Sequence, residues 1–146
     1  VMGKFIASLL LICIALVATL PYIITIANIG NLDNGGTICG YLALFLMSMV
    51  YTSIGIFTSS ITSNQIVAFM GALMIGLFFH IIFDVLAGNF TGFIGNLFDL
   101  LSLQTHFESI SRGVIDSQDL VYFISVSILS LFLAEWSLSN RHFQKK

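Results

Sequence analysis

Residues able to do acid–base or ligand chemistry are few: 7 Asp or Glu, 5 Lys or Arg and 3 His among 146 residues. Two groups stand out by spacing. His80 and Asp84 are four apart inside a long apolar run. On a helix that spacing puts them one turn apart and within reach. An ionisable group near the middle of a bilayer costs at least ~2.5 kcal/mol, so it turns towards protein or water. The pair can line a cavity or hold a proton. The plainer reading puts both near the outer interface, paired with each other. Two residues alone do not make a metal site.

The second group is His106, Glu108, Arg112 and Asp116. Glu108 and Arg112 stand at i, i+4 and pair on one helix face, a contribution of about 0.2–0.5 kcal/mol in water. Asp116 fits the N-cap of a following helix, with Asp119 in the capping-box position. Caps and a surface pair account for these charges. No nucleophile–base spacing, HExxH, GxSxG or P-loop is present, so no catalytic residue is assigned. Cys13 and Cys39 have no CxxC spacing and no nearby His or Cys partner, and read as small apolar fillers.

These residues sit in an unusual matrix. The sequence is 58% hydrophobic and only 8% charged, with a mean hydropathy of +1.03. Soluble domains carry about 25% charged residues. Lipid must replace water over much of this surface. The net charge of −2 and the lack of a basic stripe exclude nucleic acid as a partner.

A bilayer core of roughly 30 Å needs around 20 apolar helical residues. Four stretches qualify: 5–29, bent at Pro21, then 39–61, 65–86 and 120–138. In lipid, backbone groups must be paired within the segment, which favours helices. The predicted fold is therefore an all-α, polytopic transmembrane bundle. Asn31 to Gly36 marks a turn, and Thr62-Ser63-Asn64 is a very short connection. Segment 88–119 is too long for a turn and too polar for a span. Its stretch from Phe93 to Ser111 reads as an amphipathic helix with Phe93, Leu97, Leu100, Leu101, Leu103 and Phe107 on the apolar side, ended by Gly113.

Lys4 precedes the first span, and Arg141, Lys145 and Lys146 follow the last. Both termini are thus expected in the cytoplasm, with 88–119 outside. The first apolar run starts almost at Val1 and is too long for a secretory signal, which suggests a chain that begins part-way into a larger protein. Small or polar residues repeat at helical spacing in three spans. They are Ser48, Thr52, Gly55, Ser59 and Thr62, then Ala68, Ala72 and Gly76, then Ser127, Ser130, Ala134 and Ser137. Such seams let helices approach closely in membranes.

Three stretches carry a family resemblance. They are Gly3-Lys4-Phe5 opening a span, Gly55 to Thr62 running into Asn64 to Phe69, and His106-Phe107-Glu108 followed by Arg112 to Asp116 and Asp119 to Tyr122. The third holds its order and spacing over 17 residues. Together they resemble the ABC-2 type permease subunits of ATP-driven transporters, in particular the gliding-motility-associated subfamily. The resemblance covers nearly the whole chain. It implies a single transmembrane permease domain over 1–146, supplying helices three to six of a six-helix unit. Ser63 stands where that family is expected to carry an acidic residue.

The resemblance also implies partners: a cytoplasmic ATP-binding subunit, a second permease copy or paralogue, and the lipid bilayer of a bacterial plasma membrane. It implies no cofactor on this chain, since ATP is held by the partner subunit. In that reading 88–119 is a partly re-entrant outer element. His106, Glu108, Arg112 and Asp116 then form an outer gate or its scaffold, and His80 and Asp84 are cavity candidates. An ion-coupled secondary transporter working through Asp84, a membrane-embedded enzyme and a non-transporting assembly or anchor protein are the alternatives.

Overall fold

The structure is a computed structural model and describes residues 1–143. It is all helical among those residues: α1 (Met2–Ala18), α2 (Leu20–Ile29), α3 (Asn34–Ile61), α4 (Gln65–Leu77), a π-turn (Phe78–Ile82), α5 (Phe83–Asn89), α6 (Phe93–Leu101), α7 (Leu103–Ser111) and α8 (Ser117–Phe143). Four stretches are long and apolar enough to cross a membrane: Met2–Ile29, Asn34–Ile61, Gln65–Asn89 and Ser117–Asn140. The predicted spans agree with these within a few residues at most ends. Of the cations used to orient the chain, Lys145 and Lys146 lie outside the described residues, and only the backbone of Arg141 is described.

Three of the long elements start where a short polar side chain satisfies an orphan N–H, as helix ends require, whereas α1 starts at Val1 with no side-chain cap. Asp33 Oδ1 accepts from Gly35 N–H at 3.0 Å at the start of α3. Asn64 Oδ1 accepts from Ile66 N–H at 3.0 Å at the start of α4. Asp116 Oδ1 accepts from Gln118 N–H at 3.2 Å at the start of α8. The expected cap at Asp116 is therefore present.

The first span is interrupted at Thr19, between α1 and α2. Pro21 has no N–H and its ring crowds the carbonyl of Val17, so the α-helical ladder stops there. Thr19 turns its hydroxyl back to the Leu16 carbonyl at 2.6 Å and shares a hydrogen bond with the Tyr41 hydroxyl of α3. The third span carries the π-turn, which leaves its two flanking α-segments in one continuous element.

Helix α3 is the centre, packing on α8, α4, α7 and α1. Its buried stripe is Cys39, Ala43, Leu46, Val50, Ser53, Ile54 and Thr58. On α8, Phe123, Ser127, Leu131 and Ala134 are buried, and Ser137 Oγ reaches the Ser60 carbonyl at 3.4 Å. The buried hydroxyls bond within their own helices: Ser53 to Val50, Thr58 to Ile54 and Ser127 to Phe123. They add no unsatisfied group to the core.

The small-residue seams divide accordingly. The α8 seam packs on α3, and the α4 seam meets α3 as well. A Cβ at Gly76 would lie 2.5 Å from the Tyr51 ring, so glycine is what lets that ring rest on the α4 backbone. The α3 seam faces α1 and open space. Ser48, Thr52, Gly55 and Thr62 are half-buried and Ser59 is exposed. Thr52, Gly55 and Ser59 line an open groove of about 330 Å³ with Lys4 and Ser8 of α1, while α3 buries a different, larger-residue stripe.

Candidate functional site

The stretch from Phe93 to Ser111 is two helices, α6 and α7, not the single one expected. The chain leaves helical geometry at Ser102, whose φ and ψ are −76° and 120°. Ser102 Oγ instead caps α7, accepting from Thr105 N–H at 3.3 Å. This break frees the last carbonyls of α6, which would otherwise meet the N–H groups of the next turn. Side chains take them. Tyr122 Oη donates to the Leu101 carbonyl at 2.6 Å, and His106 Nε2 lies 3.2 Å from the Leu100 carbonyl.

His106 also pairs with Asp119, Nδ1 to Oδ1 at 2.6 Å. Both side chains are more than nine-tenths buried, at 6% and 8% exposure. The His106 ring stacks on Tyr122 with centroids 4.1 Å apart and meets the Phe123 ring edge-on. Beside it lie Leu103, Ile110 and Phe123, all fully buried, with Cys39, Ala43 and Leu46 of α3 in the same cluster. The corner between α6 and α7 is thus stitched to the first turns of α8 by two polar contacts inside an apolar shell.

This arrangement corrects the reading of Asp119 as a capping-box partner. Its Oδ1 goes to His106, and its Oδ2 is buried with no hydrogen-bond partner. Sequence reasoning did not single out Asp119 and Tyr122 as site residues. Their i, i+3 spacing on one helix face was the available signal, but nothing local points to His106 across a bend.

Two open clefts flank α7. One of about 260 Å³ is lined by His106, Asp119, Asp116 and Asp99, with Thr105 and Ser109 between them. The other, of about 340 Å³, is lined by Asp84, Glu108 and Arg112, again with Thr105 and Ser109. Glu108 and Arg112 pair as expected, Oε2 to Nη2 at 3.3 Å, and Gln104 Nε2 donates to Glu108 Oε1 at 2.6 Å. Glu108, Arg112 and Asp116 are exposed and His106 is buried.

The expected pairing of His80 with Asp84 is absent among the described residues. The backbone at Phe78–Ile82 is a π-turn and not the α-turn that the i, i+4 spacing assumes. Asp84 instead lines the cleft of Glu108 and Arg112. His80 is half-buried, and its Nδ1 is buried without a hydrogen-bond partner. Phe79 and Phe83 flank it in an edge-to-face aromatic pair that continues to Phe98 of α6.

No cluster of three or more His, Cys, Asp or Glu able to hold a metal occurs among the described residues. What the site offers is mechanical: a buried polar joint between a surface helix pair and a spanning helix. The comparisons with known proteins agree with a membrane role. The family described as ABC-2 family transporter protein matches residues 1–138. No curated protein matches the chain. No solved structure does either.

Proposed function

The chain belongs to the ABC-2 family of transporter proteins, and from that premise we propose that it lines a translocation path whose outer end is closed by α6 and α7. It is the multi-pass membrane component of such a transporter, and the family implies an ATPase partner. Membrane subunits of this family have no catalytic activity of their own.

The finer assignments are ours. The ATP-binding subunit sits in the cytoplasm, at the end of the bundle that carries Lys4. Both termini face that side. A second permease copy or paralogue completes the path. The chain forms one permease domain, helices three to six of a six-helix unit, in a bacterial plasma membrane. Membership of the gliding-motility-associated subfamily rests on the ordered residues His106 to Glu108, Arg112 to Asp116 and Asp119 to Tyr122.

One observation carries the gate assignment: the buried contact of His106 with Asp119, which fixes the outer helices to the last span. A tilt of α8 driven from the cytoplasmic end would be handed through this joint to α6 and α7. Glu108, Arg112 and Asp116 then shape the outward clefts, and Asp84 borders the one that Glu108 and Arg112 form. His80 lies behind them on the third span as a cavity candidate.

The test is gentle purification of the full-length protein from its native membrane. An ATP-binding subunit is expected to come with it, with ATPase activity that falls when the permease is removed. A preparation that keeps other complexes intact but yields no such subunit would sink the assembly. Transport that stops on ATP depletion, and survives collapse of ion gradients, would separate this reading from ion coupling through Asp84.

A further inference from the structure

Two nitrogens of one ring face two acceptors. His106 Nδ1 is 2.6 Å from Asp119 Oδ1, and Nε2 is 3.2 Å from the Leu100 carbonyl. A backbone carbonyl only accepts hydrogen bonds, and so does an ionised carboxylate. A neutral imidazole has a single N–H. Neutral His106 beside ionised Asp119 would therefore set a lone pair against a lone pair at one contact. One additional proton, held between Nδ1 and Oδ1, removes the conflict. Nε2–H then donates to Leu100, and the His106–Asp119 pair has no net charge.

The environment fits a neutral pair. Asp119 Oδ2 is buried without a partner. An ionised carboxylate would spread charge onto that oxygen, and a buried unpaired charge is costly. Leu103, Ile110 and Phe123 occupy the same buried cluster. A route for exchange exists, because His106 and Asp119 also border the open cleft of about 260 Å³.

We propose that His106 and Asp119 form a binding site for one proton, and that the bound proton locks the α6–α7 corner to α8. While the proton is held, both contacts of the ring are hydrogen bonds. When it leaves as pH rises, one contact becomes repulsive and a negative charge is stranded in the cluster. The locked state therefore belongs to the acid side and the loosened state to the alkaline side.

Other titratable groups stand on the elements packed against α7. They include Tyr122 and Glu135 on α8, Asp99 on α6, Asp116 at the α8 cap, Cys39, Tyr41 and Tyr51 on α3, and His80 and Asp84 on the third span. On α7 itself, Glu108 and Arg112 pair with each other. Tyr122 stacks on the ring but sends its hydroxyl to Leu101. Asp99 and Asp116 share the cleft, and their negative charge favours proton entry. Among the described residues, none of these side chains hydrogen-bonds to His106 or Asp119.

The inference goes beyond the transport reading and does not depend on the substrate. Its test is amide hydrogen exchange in Leu103–Ser111 of the full-length protein in lipid nanodiscs over a series of pH values. Asp119→Asn is the key variant. Its amide can donate to Nδ1 while Nε2–H keeps Leu100, so it mimics the proton-loaded pair and keeps both contacts as pH rises. The exchange rate of the unaltered protein divided by that of Asp119→Asn cancels the intrinsic effect of pH. That ratio is expected near one on the acid side and to rise roughly tenfold on the alkaline side, the size of one lost buried partner. Asp119→Ala is expected to exchange fast throughout. A flat ratio, or Asp119→Asn exchanging as fast as Asp119→Ala, would overturn the proposal. So would nitrogen-15 shifts placing a bare Nε2 at His106 where the segment is protected.

Discussion

The four spans differ sharply in how much of themselves they hide. The most apolar stretches of α3 and α8 are 33% and 28% buried, whereas those of the first and third spans are 0% and 6% buried. Yet the two exposed spans are the more hydropathic, at 2.6 and 2.5 against 1.7 and 1.7. In water this order would be reversed, because burial would follow hydropathy. In lipid, apolar surface gains nothing by association. The helices that pack are the ones with small residues and hydroxyls, and the most apolar helices are left to face lipid or further helices.

That contrast can be broken. The largest effect is expected for Phe123→Ala in the α3–α7–α8 cluster. Phe123 is fully buried, and its removal should cost about 3–5 kcal/mol in lost contacts and cavity. Reversible denaturation in mixed micelles would read this, and a loss below about 1 kcal/mol would show that the cluster is not the centre of the fold. Next comes Gly76→Leu, which must displace Tyr51 from the α4 backbone. Overpacking of this kind costs about 1–3 kcal/mol. A disulfide-trapping assay between α3 and α4 should show the two helices moved apart.

Asp33→Ala removes the cap of α3 and should cost about 1 kcal/mol. Backbone exchange at Gly35 and Gly36 should quicken, while that at the other end of α3 stays unchanged. The smallest effect is expected for Phe69→Ala on α4. Phe69 is 65% exposed. Its loss should shift stability by no more than about 0.5 kcal/mol. A loss as large as that of Phe123→Ala would mean that the α4 face is covered in the assembled transporter.

Much of this was legible in the sequence because it is local. Hydropathy marks the four spans, since each must satisfy its own backbone in lipid. The cap at Asp116, the interruption near Pro21 and the Glu108–Arg112 pair all follow from residues a few positions apart. The Ser102 break was not legible, because Leu100, Leu101 and Leu103 continue an apolar pattern through it. Nor was the partnership of His106 with Asp119, which are 13 residues apart and meet only through the turn after α7. His80 and Asp84 failed for a subtler reason: their spacing is right for an α-helix, but the backbone between them is not one.

That π-turn has a consequence of its own. A π-turn carries one residue more than the α-turn it replaces. Each residue advances a helix by about 100°. Everything after Ile82 is therefore dialled round by about that angle from the face that Ala68, Ala72 and Gly76 begin. The extra residue acts as a fixed wedge of rotation in an otherwise regular rod. Losing a single codon between Phe78 and Ile82 would let this turn close as an ordinary α-turn, keeping Asp84 beside Glu108 and Arg112 and leaving the span long enough to cross the bilayer.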